Sequence, residues 1–190
     1  GPVCKCMQTG RFIFHITCAI VKILEWAILQ GDFMRRRDRE ETRREEIINI
    51  IAAADCCRLG LIDDDGLAYS VPLNFAFVEE GDFGIFYFHG AAQGKKIDLV
   101  NRSLRASFEM DTRHKLLPAE KACGHSYAFA SLMGKGNVSV VGDSREKYDA
   151  LGLLMQQVTG KAGWSIPEEA LKSVGVIKLQ VTEWSCKVHD

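Results

Sequence analysis

The chain has 190 residues, of which 47% are hydrophobic and 26% charged. That balance excludes a wholly disordered or collagen-like polypeptide, and the length suits about one domain whose core needs no disulfide staples. Its 24 Lys and Arg residues against 25 Asp and Glu leave a formal charge of -1, without the basic excess on which nonspecific nucleic-acid binding rests.

Residues 1–33 read differently from the rest. Residues 12–29 form an apolar run broken by His15, Lys22 and Glu25, at the lower limit of membrane-spanning length. Lys5 and Arg11 precede it as in a signal peptide, but no small-residue cleavage site follows. Lys22 and Glu25 lie one helical turn apart, which suits an amphipathic helix added to the body. Membrane contact by residues 12–29 is the alternative, and the basic run Arg35, Arg36 and Arg37 would then favour a cytoplasmic body. The expected organisation is an apolar extension over residues 1–33 and one domain over residues 34–190.

The charge run 35–46 reads as a solvated helix face. Thr42 and Glu45 have capping-box spacing, and Ile47, Ile50, Ile51 and Ala54 recur at helical period, predicting a helix over 42–54. Strand patterns follow at 56–62, 67–78 and 84–89, separated by the turns Asp63-Asp64-Asp65-Gly66 and Glu79-Glu80-Gly81-Asp82. Pro72 marks an edge, a bulge or an irregular spot in the second strand. A short helix is predicted over 95–101, with Asp98 and Arg102 spaced to pair. Strands are predicted at 106–111 and 126–141 around a loop at 112–124 that carries His114 and Pro118, of the sort that often covers a site. Gly134 and Gly136 suggest a bend in the later strand. Asp143 and Glu146 open a helix with Tyr148, Leu151, Met155 and Val158 on one face. Pro167 opens another, and residues 174–183 form the last strand. The short turns argue an antiparallel sheet, and the sum is an α+β fold, mainly antiparallel β: a small six-stranded barrel with flanking helices.

The seven cysteines Cys4, Cys6, Cys18, Cys56, Cys57, Cys123 and Cys186 lack the paired spacing of a zinc site. They read as reduced, small hydrophobes of a cytoplasmic protein that holds no metal. The run Phe88-His89-Gly90-Ala91-Ala92-Gln93-Gly94-Lys95-Lys96 ends a strand, permits close backbone approach and opens a helix with two lysines. It suits an anion such as phosphate, or a plain loop with solvated lysines. Arg58, alone in an apolar strand, needs either an ion pair or a bound anion. His89 is either an acid, base or hydrogen-bond donor to a ligand, or a packed histidine.

Three segments taken together carry a resemblance: Cys57-Arg58-Leu59-Gly60-Leu61, Ser70-Val71-Pro72-Leu73-Asn74-Phe75, and Phe88-His89-Gly90-Ala91 with Gly94-Lys95-Lys96-Ile97-Asp98. They resemble the pyridoxamine 5′-phosphate oxidase-like superfamily, and most of all its flavin-binding branch that includes the nitroimidazole-resistance proteins. Ser107-Phe108-Glu109-Met110-Asp111 and Ser131-Leu132-Met133-Gly134-Lys135-Gly136 continue the likeness in order, over about residues 34–187. The resemblance implies a split β-barrel and a homodimer with FMN at its interface. It assigns the FMN phosphate to Lys95 and Lys96 with Arg58 nearby, and the length of the flavin to Val71, Pro72, Leu73 and Asn74. It gives Ser131 a polar contact to the cofactor and places His89 beside the flavin, serving the substrate. The chain departs from the pattern at Ala130, where relatives often have arginine. Its C-terminal residues do not match the basic and aromatic set of true pyridoxamine 5′-phosphate oxidases. The function implied is an FMN-dependent oxidoreductase of a small molecule, nitro-compound reduction included. The alternatives are a non-catalytic flavin storage or sensing module, and a split barrel that binds haem or deazaflavin.

Overall fold

The computed structural model describes residues 36–190, so the expectations for residues 1–33 and for the boundary at 34 lie outside the described residues. Eight strands form one sheet: β1 (Glu40–Glu41), β2 (Cys57–Ile62), β3 (Ala68–Leu73), β4 (Phe75–Val78), β5 (Ile85–Ala91), β6 (Arg105–Leu117), β7 (Ser126–Val140) and β8 (Val174–His189). Among the described residues four α-helices join them: α1 (Arg44–Ala53), α2 (Lys95–Arg102), α3 (Ser144–Thr159) and α4 (Glu168–Ser173). The class is α+β with antiparallel pairing throughout.

Eight strands replace the expected six for two reasons. The charge run hides β1, which pairs Glu40 with Lys187, and the long segment 67–78 breaks at Asn74 into β3 and β4. The sheet order is β3-β2-β6-β7-β8-β5-β4, so the two strands at the ends of the path are consecutive in the chain. One residue, Asn74, carries the backbone from one edge to the other. The sheet must therefore curl back on itself, and the unpaired β3–β4 seam makes it a split barrel. Pro72 sits on edge strand β3, where its missing N–H costs no ladder bond.

Alternation along the strands fixes the inner face. Leu59, Phe86, Phe88, Phe108, Met110, Leu132, Ile177 and Leu179 point inward and are buried together with Ile50 and Ile51 of α1. Cys57 and Cys186 join this core as small hydrophobes, and burial pushes the Cys186 thiol up to about 11. A second, smaller cluster on the outer face joins Ile85, Tyr87 and Val176 to Ala150 of α3.

Local chemistry departs from the sequence reading at several points. The Thr42–Glu45 capping box does not form. Arg43 is the N-cap of α1 and its backbone N–H donates to Glu41 Oε1 at 2.8 Å, because the Arg43 guanidinium already grips that carboxylate. Arg102 reaches Asp64 at 2.5 Å rather than the Asp98 carboxylate. The buried residues of α3 are Ala150 and Leu154, whereas Met155 and Val158 stay exposed. Residues 112–117, expected as loop, continue β6 beyond a bulge.

An outer strut fastens α3 to the sheet. The Tyr87 hydroxyl and Lys178 Nζ both donate to Glu146 Oε1, each at 2.8 Å. The hydrogen bond from Lys178, then that from Tyr87, hold the Glu146 carboxyl below its ordinary 4.5. A carboxyl lowered by folding stabilises the fold above its unfolded value, and that contribution is lost as pH falls through the folded value. Glu146→Gln is therefore expected to lower the melting temperature near neutrality and to flatten its acid dependence below pH 4.5. Thermal melts across that range check this, and parallel wild-type and variant curves would contradict it. Among the described residues no helix is long and apolar enough to cross a membrane.

Candidate functional site

The residues singled out by sequence fall into two groups on this barrel. The first gathers at the seam. The β4–β5 ladder ends at Phe75 opposite Phe88, so Asn74 and His89 flank its end. Just beyond, Gly94 stands at the N-cap of α2, with φ +121° and no side chain to cap the helix. The first amides of α2 are thus left without a side-chain acceptor, and they carry the positive end of the helix dipole.

The two lysines at this helix start differ. Lys95 is engaged: its ammonium pairs with Asp63 and lies 4.9 Å from the Tyr69 ring centroid on β3. Lys96 has no carboxylate or hydrogen-bond partner among the described residues, and burial pushes its ammonium below 10.5. Its Nζ lies 2.5 Å from where a Gly90 Cβ would stand, so glycine there leaves the amine its room. A half-buried cation unpaired among the described residues, beside an uncapped helix start, has the charge and the donors that would suit an anion. His89 is exposed and makes no hydrogen bond among the described residues. It shares the outer face of β5 with Tyr87, opposite to the Gly90 side that Lys96 occupies. Strand alternation puts the two on opposite faces of β5 at this end of the ladder.

The second group lies on the outer face of β2, β3, β6 and β7. Register puts Pro72 beside Arg58, Arg58 beside Glu109, and Asp111 beside Ser131. Arg58 donates to Glu109 Oε2 at 3.0 Å and to Asp111 Oδ1 at 2.5 Å. Of the two readings left open for Arg58, the structure shows the ion pair. Val71 and Leu73 alternate with Pro72 to the inner face, where Leu73 packs partly against the core. Ala130 is fully buried and faces inward, opposite to Ser131. Large apolar side chains stand exposed on or beside this outer surface: Ile62, Leu116, Tyr127 and Met133.

Sequence reasoning missed that Glu109 and Asp111 hold Arg58. The signal was available in the strand alternation of Glu109-Met110-Asp111, which puts both carboxylates on one face. An open cleft between the end of α1, Asn74, Phe75 and Gln157 touches the candidate residues only through Asn74. Among the described residues no cluster of His, Cys, Asp and Glu is arranged to hold a metal ion.

A family model described as pyridoxamine 5′-phosphate oxidase matches residues 43–188. A candidate 5-nitroimidazole antibiotic resistance protein of Bacteroides thetaiotaomicron is 32% identical, with a TM-score of 0.68 over 78% of this chain and 86% of that one. The flavocytochrome Anf3 of Azotobacter vinelandii is 20% identical, with a TM-score of 0.69 over 85% and 74%. An FAD- and haem-binding protein of Mycobacterium smegmatis is 17% identical, with a TM-score of 0.65 over 80% and 74%. These last two share the fold. A search of curated proteins found no match.

Proposed function

The chain belongs to the pyridoxamine 5′-phosphate oxidase family, and from that premise we propose that it is an FMN-binding homodimer that reduces a small molecule, nitro compounds included. The observation that carries this reading is Lys96, a half-buried ammonium without a counter-charge among the described residues, at an uncapped helix start. Those groups fit the phosphate of FMN in charge and in donor chemistry. Lys95 assists once it is released from Asp63, and Val71, Pro72, Leu73 and Asn74 offer the edge of β3 to the flavin. Arg58, held by two carboxylates, contributes shape and positioning rather than a phosphate contact. Bound FMN would supply the electron transfer, and the protein its orientation and electrostatic setting.

The two groups of candidate residues support the dimer. His89 on β5 and Ser131 on β7 are separated by β8 in the sheet order, and β8 is an intact strand. Two protomers that share a cofactor bring the Lys96 group of one to the Ser131 group of its partner. The exposed Ile62, Tyr127 and Met133 give that contact apolar area. His89, exposed and unbonded, is the hydrogen-bond donor to substrate at the seam. The buried thiols of Cys57 and Cys186 suit a cytoplasmic setting.

The test is the visible spectrum of the protein as purified, followed by mass identification of any released chromophore. Flavin bands with the mass of FMN are expected, and His89→Ala should then cut turnover of nitro acceptors while FMN stays bound. A haem-type band would replace this reading with the haem alternative. A colourless protein that takes up no added FMN would overturn the cofactor assignment altogether.

A further inference from the structure

Residues 111 and 114 of a regular strand point to opposite faces. Yet His114 Nε2 lies 2.7 Å from Asp111 Oδ2, on the outer face. A β-bulge makes this possible: between Thr112 and Lys115 the register of β6 against β7 shifts, so that Arg113 and His114 stand against one residue of β7. Arg113 adopts φ +61°, the one described non-glycine residue with positive φ. The irregularity is anchored from α1, where Glu46 pairs with the Arg113 guanidinium and the carbonyl of Ala53 accepts from Thr112 Oγ1 at 3.2 Å. Strained backbone held by outside contacts marks positions that local propensity would not choose.

The product of this construction is an oriented imidazole. Asp111 is shared between Arg58 on β2, through Oδ1, and His114, through Oδ2. The guanidinium fixes the carboxylate, and the carboxylate fixes Nε2 of the ring. Nδ1 is left without a protein partner among the described residues. The ring is half exposed and lies 6.0 Å from that of Tyr127, across on β7. The charged and titratable groups around it are Asp111 and Glu109 of β6, Arg58 of β2, Tyr127 of β7, and the Glu46–Arg113 pair reaching in from α1. Asp111 also pairs in register with Ser131.

We propose that His114 exchanges a proton with the small molecule that reacts at this face, and that Asp111 is the residue positioning it. This rests on the proposed oxidoreductase reading. The Nδ1–H bond of the imidazolium breaks as a bond forms between that proton and a substrate oxygen or nitrogen carrying an unshared pair. The imidazole is left neutral, Asp111 stays ionised, and water returns the proton. Within one protomer β7 and β8 stand between His114 on β6 and His89 on β5, at about 5 Å per strand. One substrate therefore meets His89 of one protomer and His114 of its partner.

The experiment uses the full chain loaded with FMN, with flavin fluorescence quenching reporting binding and carbethoxylation by diethyl pyrocarbonate, located by mass, reporting access to His114. Bound FMN is expected to slow modification of His114. His114→Gly should keep FMN affinity and lose about 100-fold in turnover, the range of general acid–base catalysis, and added imidazole should restore part of it. Asp111→Asn should lower turnover without any such rescue. If FMN binds but His114 reacts equally with and without it, or His114→Gly turns over like the wild type, the proposal falls while the flavin reading stands. If FMN does not bind, both fall. Loss of turnover in His114→Gly that no imidazole recovers, with FMN still bound, assigns His114 a structural role and overturns the proposal.

Discussion

Lys96→Met is expected to weaken FMN binding by about 2 kcal/mol, roughly thirtyfold, the worth of a hydrogen bond to a charged group. The same substitution is expected to leave the cofactor-free protein as stable as the wild type or more stable, because it removes a half-buried ammonium that no carboxylate among the described residues balances. The sign follows from the shift. An amine whose value is lowered by folding carries its charge at a cost to the folded state, a cost that is full below the folded value and is gone only once pH has passed the unfolded value. The opposite directions of affinity and stability separate a ligand cation from a structural one. Lys95→Met serves as the contrast. Lys95 is already paired with Asp63 and stands against Tyr69, so its loss should cost FMN affinity less. Fluorescence titration of both variants with FMN, alongside thermal melts without it, checks the pair. Equal affinities for wild type and Lys96→Met would remove Lys96 from the phosphate site.

Phe86→Ala should be the most destabilising single change in the barrel, at about 3–5 kcal/mol. Phe86 is fully buried near the start of β5. Its ring centroid lies 5.6 Å from Phe75, 4.8 Å from Phe77, 4.9 Å from Phe108 and 6.3 Å from Phe88. Alanine would leave these rings around a cavity that the rigid walls of β4 and β6 cannot close. For a chain of this size the loss corresponds to a fall in melting temperature on the order of 10 °C. A fall of only a degree or two would show that the neighbouring rings repack into the space. Phe83 on the rim, in edge contact with Trp184 at 5.4 Å, is half-buried and should cost less on truncation.

The strand and helix patterns were legible wherever one face of an element is buried. Ile47, Ile50 and Ile51 announced α1, and Gly94-Lys95-Lys96 announced the start of α2 almost to the residue. Bounds were legible where turn chemistry is strong, as at Asp63 to Gly66, where the Gly66 N–H donates to the Asp63 carbonyl at 3.0 Å. They were not legible along β6 and β8. There Thr112–Leu117 are mostly polar or exposed and the residues beyond Glu183 mix polar and apolar side chains without a clean alternation, and pairing with β7, joined on β8 by β1, keeps them extended. The same limit hid β1, two glutamates with no pattern of their own, held by Lys187 and Cys186 across the ladder.

The sequence by itself determined the α+β class, the inward-facing core and the residue types of the candidate phosphate site, because period and turn chemistry are properties of neighbours in the chain. Which charges remain free was decided only by tertiary structure. Arg58, Lys95 and Lys96 are equivalent as letters, but β6 brings two carboxylates to Arg58 and the β2–β3 turn brings Asp63 to Lys95, while none of the described residues brings a partner to Lys96. The pairing of His114 with Asp111 was likewise decided by the fold, since a bulge anchored from α1 turns two residues of opposite strand faces toward each other. Partnerships of this kind depend on strands far apart in sequence, and a charge shows its pKa and its vacancy only after those strands have met.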